Sequence, residues 1–294
     1  MNAKREAGTP DGPGRTDVVR NTAPGPRAWS TPAIFSFFVL TFSWSWGLGF
    51  CARYATAQSP PLGTILAMMS GLGPSLAAIA VVTLHSDRGG LREWLLRCLQ
   101  WRRIGWRWYT VAFGLPPVLM ALALALEGAL GGAIPVSPAS GHVGLAVVNF
   151  GLVLLVGGPL GEEFGWRGYA LPAMAAVLKW RAASLLIGVI WGLWHLPLFF
   201  MNNTPQSHIP VLLFLASTIA ASVILGWISV NTDHSVVPAL IMHTSINGWV
   251  SILPVLPTAD TFRPLALMIG AQVLIAMALL FRASRRGAPG DSGA

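Results

Sequence analysis

Charged side chains are scarce in this chain. Asp, Glu, Lys and Arg make up 10% of 294 residues, against about 25% in an ordinary soluble domain, and that shortage excludes a conventional soluble fold. Cysteine is nearly absent as well. Cys51 and Cys98 cannot build a disulfide framework or a Cys-rich metal centre, and they fall on segments expected near opposite faces of a membrane. The N-terminus lacks the apolar stretch that a cleavable signal peptide carries directly after its basic start. There is no H-E-x-x-H and no evident inverted repeat of the transporter kind. The 19 Lys+Arg against 11 Asp+Glu are not gathered into a soluble basic patch, so no nucleic-acid partner is expected.

Apolar sequence fills the space left by charge. The composition is 54% hydrophobic, with mean hydropathy +0.61, and several runs reach the roughly 20 residues that cross a ~30 Å hydrocarbon core as a helix. Thirteen Trp and 32 Gly suit interfacial anchoring and close helix packing. The expected architecture is an all-α polytopic membrane bundle. Eight spans are expected, at 31–52, 62–84, 108–131, 143–176, 183–201, 210–230, 235–256 and 264–282. The fourth is too long for one simple crossing and holds Gly157, Gly158 and Pro159 just before Gly161, where a break or kink is expected. Polar, Gly/Pro-rich stretches at 1–30 and 283–294 read as disordered cytoplasmic tails flanking a membrane domain at 31–282.

Placement of positive charge tests this topology. With both termini cytoplasmic, the N-terminal tail, the 88–107 connection, Lys179 with Arg181, and Arg282, Arg285 and Arg286 all lie inside. Only Arg53 and Arg263 lie outside, with Arg167 inside a span. In the 88–107 connection, Leu91, Trp94, Leu95 and Cys98 recur at helical spacing among arginines. The pattern reads as an interfacial helix on anionic lipid, or as a snorkelling connector that anchors its neighbours.

Ionisable groups inside spans cost about 2.5 to 3.5 kcal/mol each on insertion scales, so each is a functional-site hypothesis. Glu162, Glu163 and Arg167 lie in the fourth span, His195 in the fifth, His243 and Asn247 in the seventh, and Glu127 apart in the third. If the fourth span is helical here, Glu163 and Arg167 are i and i+4 in the favourable order and neutralise each other. Glu162 is turned about 100° away and lacks that partner. A carboxylate held out of water without a fixed counter-charge suits a general base. Trp191 and His195 share a face, so the indole can wall a pocket around the imidazole. His243 and Asn247 also share a face and together can stabilise an oxyanion, a role worth about 2.7 to 4 kcal/mol of barrier per donor. A carboxylate base, an imidazole to orient water and two donors are the parts needed for amide hydrolysis. Each group also has a bland reading, as a buried ion pair, a hydrogen-bonded structural histidine or interhelical glue.

Glu-Glu-x-x-x-Arg, then aromatic-x-x-x-His, then His-x-x-x-Asn, in this order across membrane spans, resembles the CPBP family of intramembrane endopeptidases (CAAX proteases and bacteriocin-processing proteins). The resemblance covers about 140–255. It implies that Glu162 activates water, His195 helps hold it, His243 and Asn247 form the oxyanion site, and Glu163 and Arg167 support the structure. A peptide or protein substrate is implied, a prenylated C-terminal peptide being one family option. One departure is Trp191, where the family's motif usually has Phe, which bears on pocket shape and substrate choice. Glu162, His195 and His243 can alternatively be read as three zinc ligands with an open fourth position. Asn247 is a poor metal ligand but a good oxyanion donor, so glutamate-activated water with no required cofactor is the favoured expectation. The cavity is expected to open toward the cytoplasmic side. Rival readings are a non-proteolytic scaffold or immunity protein, and a proton-coupled transporter using Glu162 and Glu163.

Overall fold

The computed structural model describes residues 29–156, 158–201, 204–258 and 261–282. The expected tails, apart from Trp29 and Ser30, lie outside the described residues. Helix α1 (Thr31–Gln58) starts at Ser30, whose Oγ accepts from the Ala33 amide at 3.4 Å, an N-cap that satisfies one of the helix's orphan donors. It is followed by α2 (Pro60–Ser70), α3 (Gly73–His85), the short α4 (Gly90–Cys98), α5 (Trp106–Ala129) and α6 (Val143–Val156). Then come α7 (Pro159–Glu163), a π-helical turn (Phe164–Ala170), α8 (Leu171–Trp194), two 3-10 turns (Leu196–Phe200 and Pro205–His208), α9 (Val211–Val230), α10 (Val237–Trp249) and α11 (Arg263–Phe281). No strand occurs among the described residues.

Large apolar side chains stand on the outside, among them Phe35, Tyr54, Leu84, Val147, Leu212 and Phe281. That pattern has lipid as its solvent, and the chain is an integral, multi-pass membrane protein. Its division into spans differs from the expected eight. Five helical runs among the described residues are long and apolar enough to cross, and the α2/α3 pair, bent by 50°, makes a sixth. The fourth and fifth expected spans fall in one run, Gly144–Phe200, interrupted at Gly158 (φ 110°) and again at Lys179 (φ 63°) within α8. The seventh corresponds to α10, only 13 residues long. Broken and half-length helices therefore account for the count. Such elements are tolerated at membrane depth where protein surrounds them.

Helix α4 fits the reading as a connector that anchors its neighbours. Its stripe of Leu91, Trp94, Leu95 and Cys98 packs into the protein core, with Trp94 and Cys98 fully buried. Trp94 Nε1 and Arg97 Nη2 both donate to the Gly168 carbonyl in the π-turn, at 2.9 and 3.1 Å. At the end of α4, the Cys98 carbonyl accepts from the Val236 amide at 2.8 Å, and the Ser235 hydroxyl donates to the Gln100 carbonyl at 2.6 Å. One short helix thus clamps the π-turn to the residues that open α10. Burial pushes the Cys98 thiol up to about 12, and Cys51 is free as well. Glu127, left without a role by sequence, accepts two bonds from Arg263, at 2.6 and 2.8 Å, joining the end of α5 to the start of α11.

The turn before α10 carries a pH liability. Burial, reinforced by Arg97 and opposed by Asp233, holds the His234 imidazole down at about 4. Between about 6.5 and 4 the unfolded chain binds a proton here that the folded chain does not, so stability falls as pH drops through that window. His234→Asn, compatible with the positive φ of 57°, should reduce the loss of thermal stability between pH 7 and pH 5. Melting curves of both proteins in one detergent at the two pH values measure the difference.

Candidate active site

The break at Gly158 ends α6 and lets α7 restart inside the bundle. Small residues then permit a close approach to neighbouring backbone. A Cβ on Gly161 would collide with the Gly71 carbonyl, and one on Gly165 would sit 2.5 Å from Pro74 backbone. The π-turn follows at once, a rare conformation that recurs at functional sites. It buries Trp166, Arg167 and Tyr169 against the core.

Glu163 is fully buried, and its Oε1 accepts from Arg167 Nη1 at 2.9 Å and from His243 Nδ1 at 2.7 Å. The expected Glu163–Arg167 pair is present, and it reaches a second helix through His243. Arg167 also lies 4.6 Å above the Trp191 ring, a desolvated cation–π contact. Glu162 faces elsewhere, as expected from its position, yet it has partners. Trp191 Nε1 donates to its Oε2 at 2.5 Å, and Trp166 Nε1, one turn along, at 3.4 Å. Its other oxygen points at the Gly158 backbone. A Cβ built there would lie 2.6 Å from Glu162 Oε1 and 3.8 Å from His243 Nε2, so these two atoms converge on the space that the glycine leaves open. Spacing arguments gave no sign of this role for Gly158.

Hydrogen-bond partners assign the imidazole tautomers. His195 Nδ1 lies 2.9 Å from the Trp191 carbonyl, which can only accept, so Nδ1 carries the proton and Nε2 is left as an acceptor. Its ring is walled by Trp194 and Phe214, with centroids at 4.7 and 5.1 Å. His243 likewise gives its Nδ1 proton to Glu163, leaving Nε2 as the atom that faces the site. The expected His243 donor therefore exists only in the doubly protonated ring, which Glu163 is positioned to stabilise.

Glu162, Trp191, His195, His243 and Asn247 all line one cavity of about 310 Å³, while Glu163 and Arg167 are buried behind it. Two of its walls were not foreseen. The 3-10 loop contributes Pro197, Leu198 and Met201, and α9 and α11 contribute Ser217, Thr218 and Gln272. These α9 residues belong to its N-terminal half, whereas the arginine-bearing α4 packs beside the turn at its C-terminal end. Among the described residues, no three His, Cys, Asp or Glu side chains lie close enough to hold one metal ion. Glu162, His195 and His243 do not form such a group in this conformation.

The family model described as Type II CAAX prenyl endopeptidase Rce1-like matches residues 143–249, the stretch from α6 through α10. The curated CAAX prenyl protease 2 of Methanococcus maripaludis is 28% identical over 221 residues, covering 72% of this chain and 81% of that protein. Both matches support the CPBP/CAAX protease family. A protein of that family is a peptidase of the membrane.

The Glu163–Arg167 pair behind the cavity is a structural element. Glu163→Gln leaves the Arg167 charge uncompensated, which costs about 3 to 5 kcal/mol when a buried pair loses one partner. A markedly lower melting temperature, measured in detergent, is expected before any question of turnover arises.

Proposed function

We propose that the protein is an intramembrane endopeptidase in which Glu162 takes a proton from water while the resulting hydroxide attacks the carbonyl carbon of a substrate peptide bond. Support comes above all from the convergence of Glu162 Oε1 and His243 Nε2 on the space over Gly158, inside the cavity shared with His195 and Asn247. In this reading His195 Nε2 accepts a hydrogen bond from the water and orients it. The tetrahedral oxyanion is met by the Asn247 amide and by His243, donating from Nε2 in its doubly protonated form. Glu162 then returns its proton to the amine as the C–N bond breaks, which leaves the site unchanged at the end of a cycle. The substrate class is a peptide or protein segment presented from the membrane. The relative's printed name makes a prenylated C-terminal peptide the first candidate.

An internally quenched reporter ending in an S-farnesylated Cys-aliphatic-aliphatic-X sequence provides the assay in proteoliposomes. Glu162→Gln should lower kcat by about 10²- to 10⁴-fold with an unchanged melting temperature. Full cleavage by that variant would remove Glu162 from the mechanism. Gly158→Ala is expected to silence the enzyme by a different route. Its Cβ would enter the space facing Glu162 Oε1, at a φ of 110° that L side chains rarely adopt. Activity comparable to wild type in a folded Gly158→Ala protein would show that the attacking water does not sit in this space.

A further inference from the structure

The cavity extends past the matched family region to α11. There the buried stripe Leu265, Met268, Ile269 and Ala276 is interrupted by Gln272, itself only 4% exposed. Gln272 lines the same cavity as Glu162 and His243. The Ser217 hydroxyl on α9 donates to its Oε1 at 3.3 Å, which orients the amide and leaves both Nε2 hydrogens without a partner among the described residues.

The cavity wall explains why such donors are needed. Proteins that bind extended peptides on a sheet edge do so with main-chain hydrogen bonds. Here the walls are chiefly helical, and helices consume their own N–H groups. A peptide drawn into this cavity loses water from its carbonyls and must find side-chain donors instead. Gln272 offers two, fixed by Ser217, in a lining that combines the apolar Trp46, Trp194 and Phe214 with polar groups such as Ser45, Gln206 and Asn247.

We propose that Gln272 is a substrate-binding residue whose Nε2 donates to a main-chain carbonyl of an extended peptide in the cavity, with Ser217 holding the amide by its oxygen. This rests on the peptidase reading above. It makes Gln272 a determinant of affinity for peptide backbone, independent of the substrate's side chains.

The test uses the full-length protein in proteoliposomes with the S-farnesylated reporter. Gln272→Leu, close in volume, should raise KM about tenfold with kcat within about twofold, the signature of lost uniform binding. Ser217→Ala keeps the donor but frees its amide to rotate, so its KM should rise by a smaller factor, about two- to threefold. A set of reporters with single carbonyls reduced to methylene should contain one position where wild type loses the same factor and Gln272→Leu loses nothing further. An unchanged KM in Gln272→Leu overturns the proposal. So does an equal fall in melting temperature for Gln272→Leu and Ser217→Ala with no change in KM, the behaviour of interhelical glue. Fluorescence anisotropy of the labelled peptide on Glu162→Gln, with and without Gln272→Leu, separates the two layers of inference. Binding weakened about tenfold supports the Gln272 assignment even if the reporter is never cleaved, whereas equal dissociation constants reject it even if Glu162 proves to be the base.

Discussion

The site depends on one buried carboxylate. Glu163 sits at the junction of α7 and the π-turn with no exposure, and a single oxygen receives both Arg167 and His243. Burying two charges in a medium of low dielectric is expensive unless their geometry is good, and a histidine from another helix supplies the further bond. That arrangement dictates much of the surrounding construction. The π-turn sets Arg167 against the Trp191 ring, while α4 donates twice to the Gly168 carbonyl. The same α4 carbonyl end receives Val236, so the element carrying Glu163 and the element carrying His243 are held by one clamp. Movement of either helix would strand a charge in the membrane interior.

Adjacent glutamates thereby divide their labour through their positions alone. Glu163 turns toward cations and becomes part of the framework. Glu162, one residue earlier, meets only neutral indole donors and the open space at Gly158. No ion pair quenches it among the described residues, which is what the proposed base requires. Two chemically identical side chains thus acquire different surroundings because a helix advances about 100° per residue.

Much of this was readable from spacing. The Glu163–Arg167 pair follows from an i,i+4 relation that survives the change to π geometry, and the shared faces of Trp191/His195 and His243/Asn247 follow from helical periodicity. Apolar runs revealed the membrane bundle, and the sequence Gly157-Gly158-Pro159 announced the break. Other features were hidden because they depend on tertiary approach. Nothing local says that Glu163 also bonds His243, 80 residues away. Periodicity showed that α4 has an apolar stripe but not which surface it would meet, and protein and lipid interiors are equally good partners for Trp94 and Leu91. Hydropathy counted segments without distinguishing a full crossing from a half-length helix such as α10. Gln272 escaped notice for a related reason, since a lone amide on a hydrophobic helix carries no spacing signal until its cavity is known.

Trp191 shows how far a single departure from a family pattern can reach. Where the family usually has Phe, the larger ring was expected to alter pocket shape. In the structure, its indole N–H bonds Glu162, its face receives the Arg167 guanidinium, and its carbonyl fixes the His195 tautomer. The last two contacts use features that Phe also has, a π face and a backbone oxygen. The first does not. A phenyl ring would leave Glu162 Oε2 with the longer Trp166 contact alone, so the tryptophan adds a tether on the proposed base while keeping the supporting geometry intact. Because that tether engages Oε2 and the convergence with His243 engages Oε1, the carboxylate can be held still without covering the oxygen that would meet water. Orientation of the Glu162 carboxylate is the physical consequence that the indole adds.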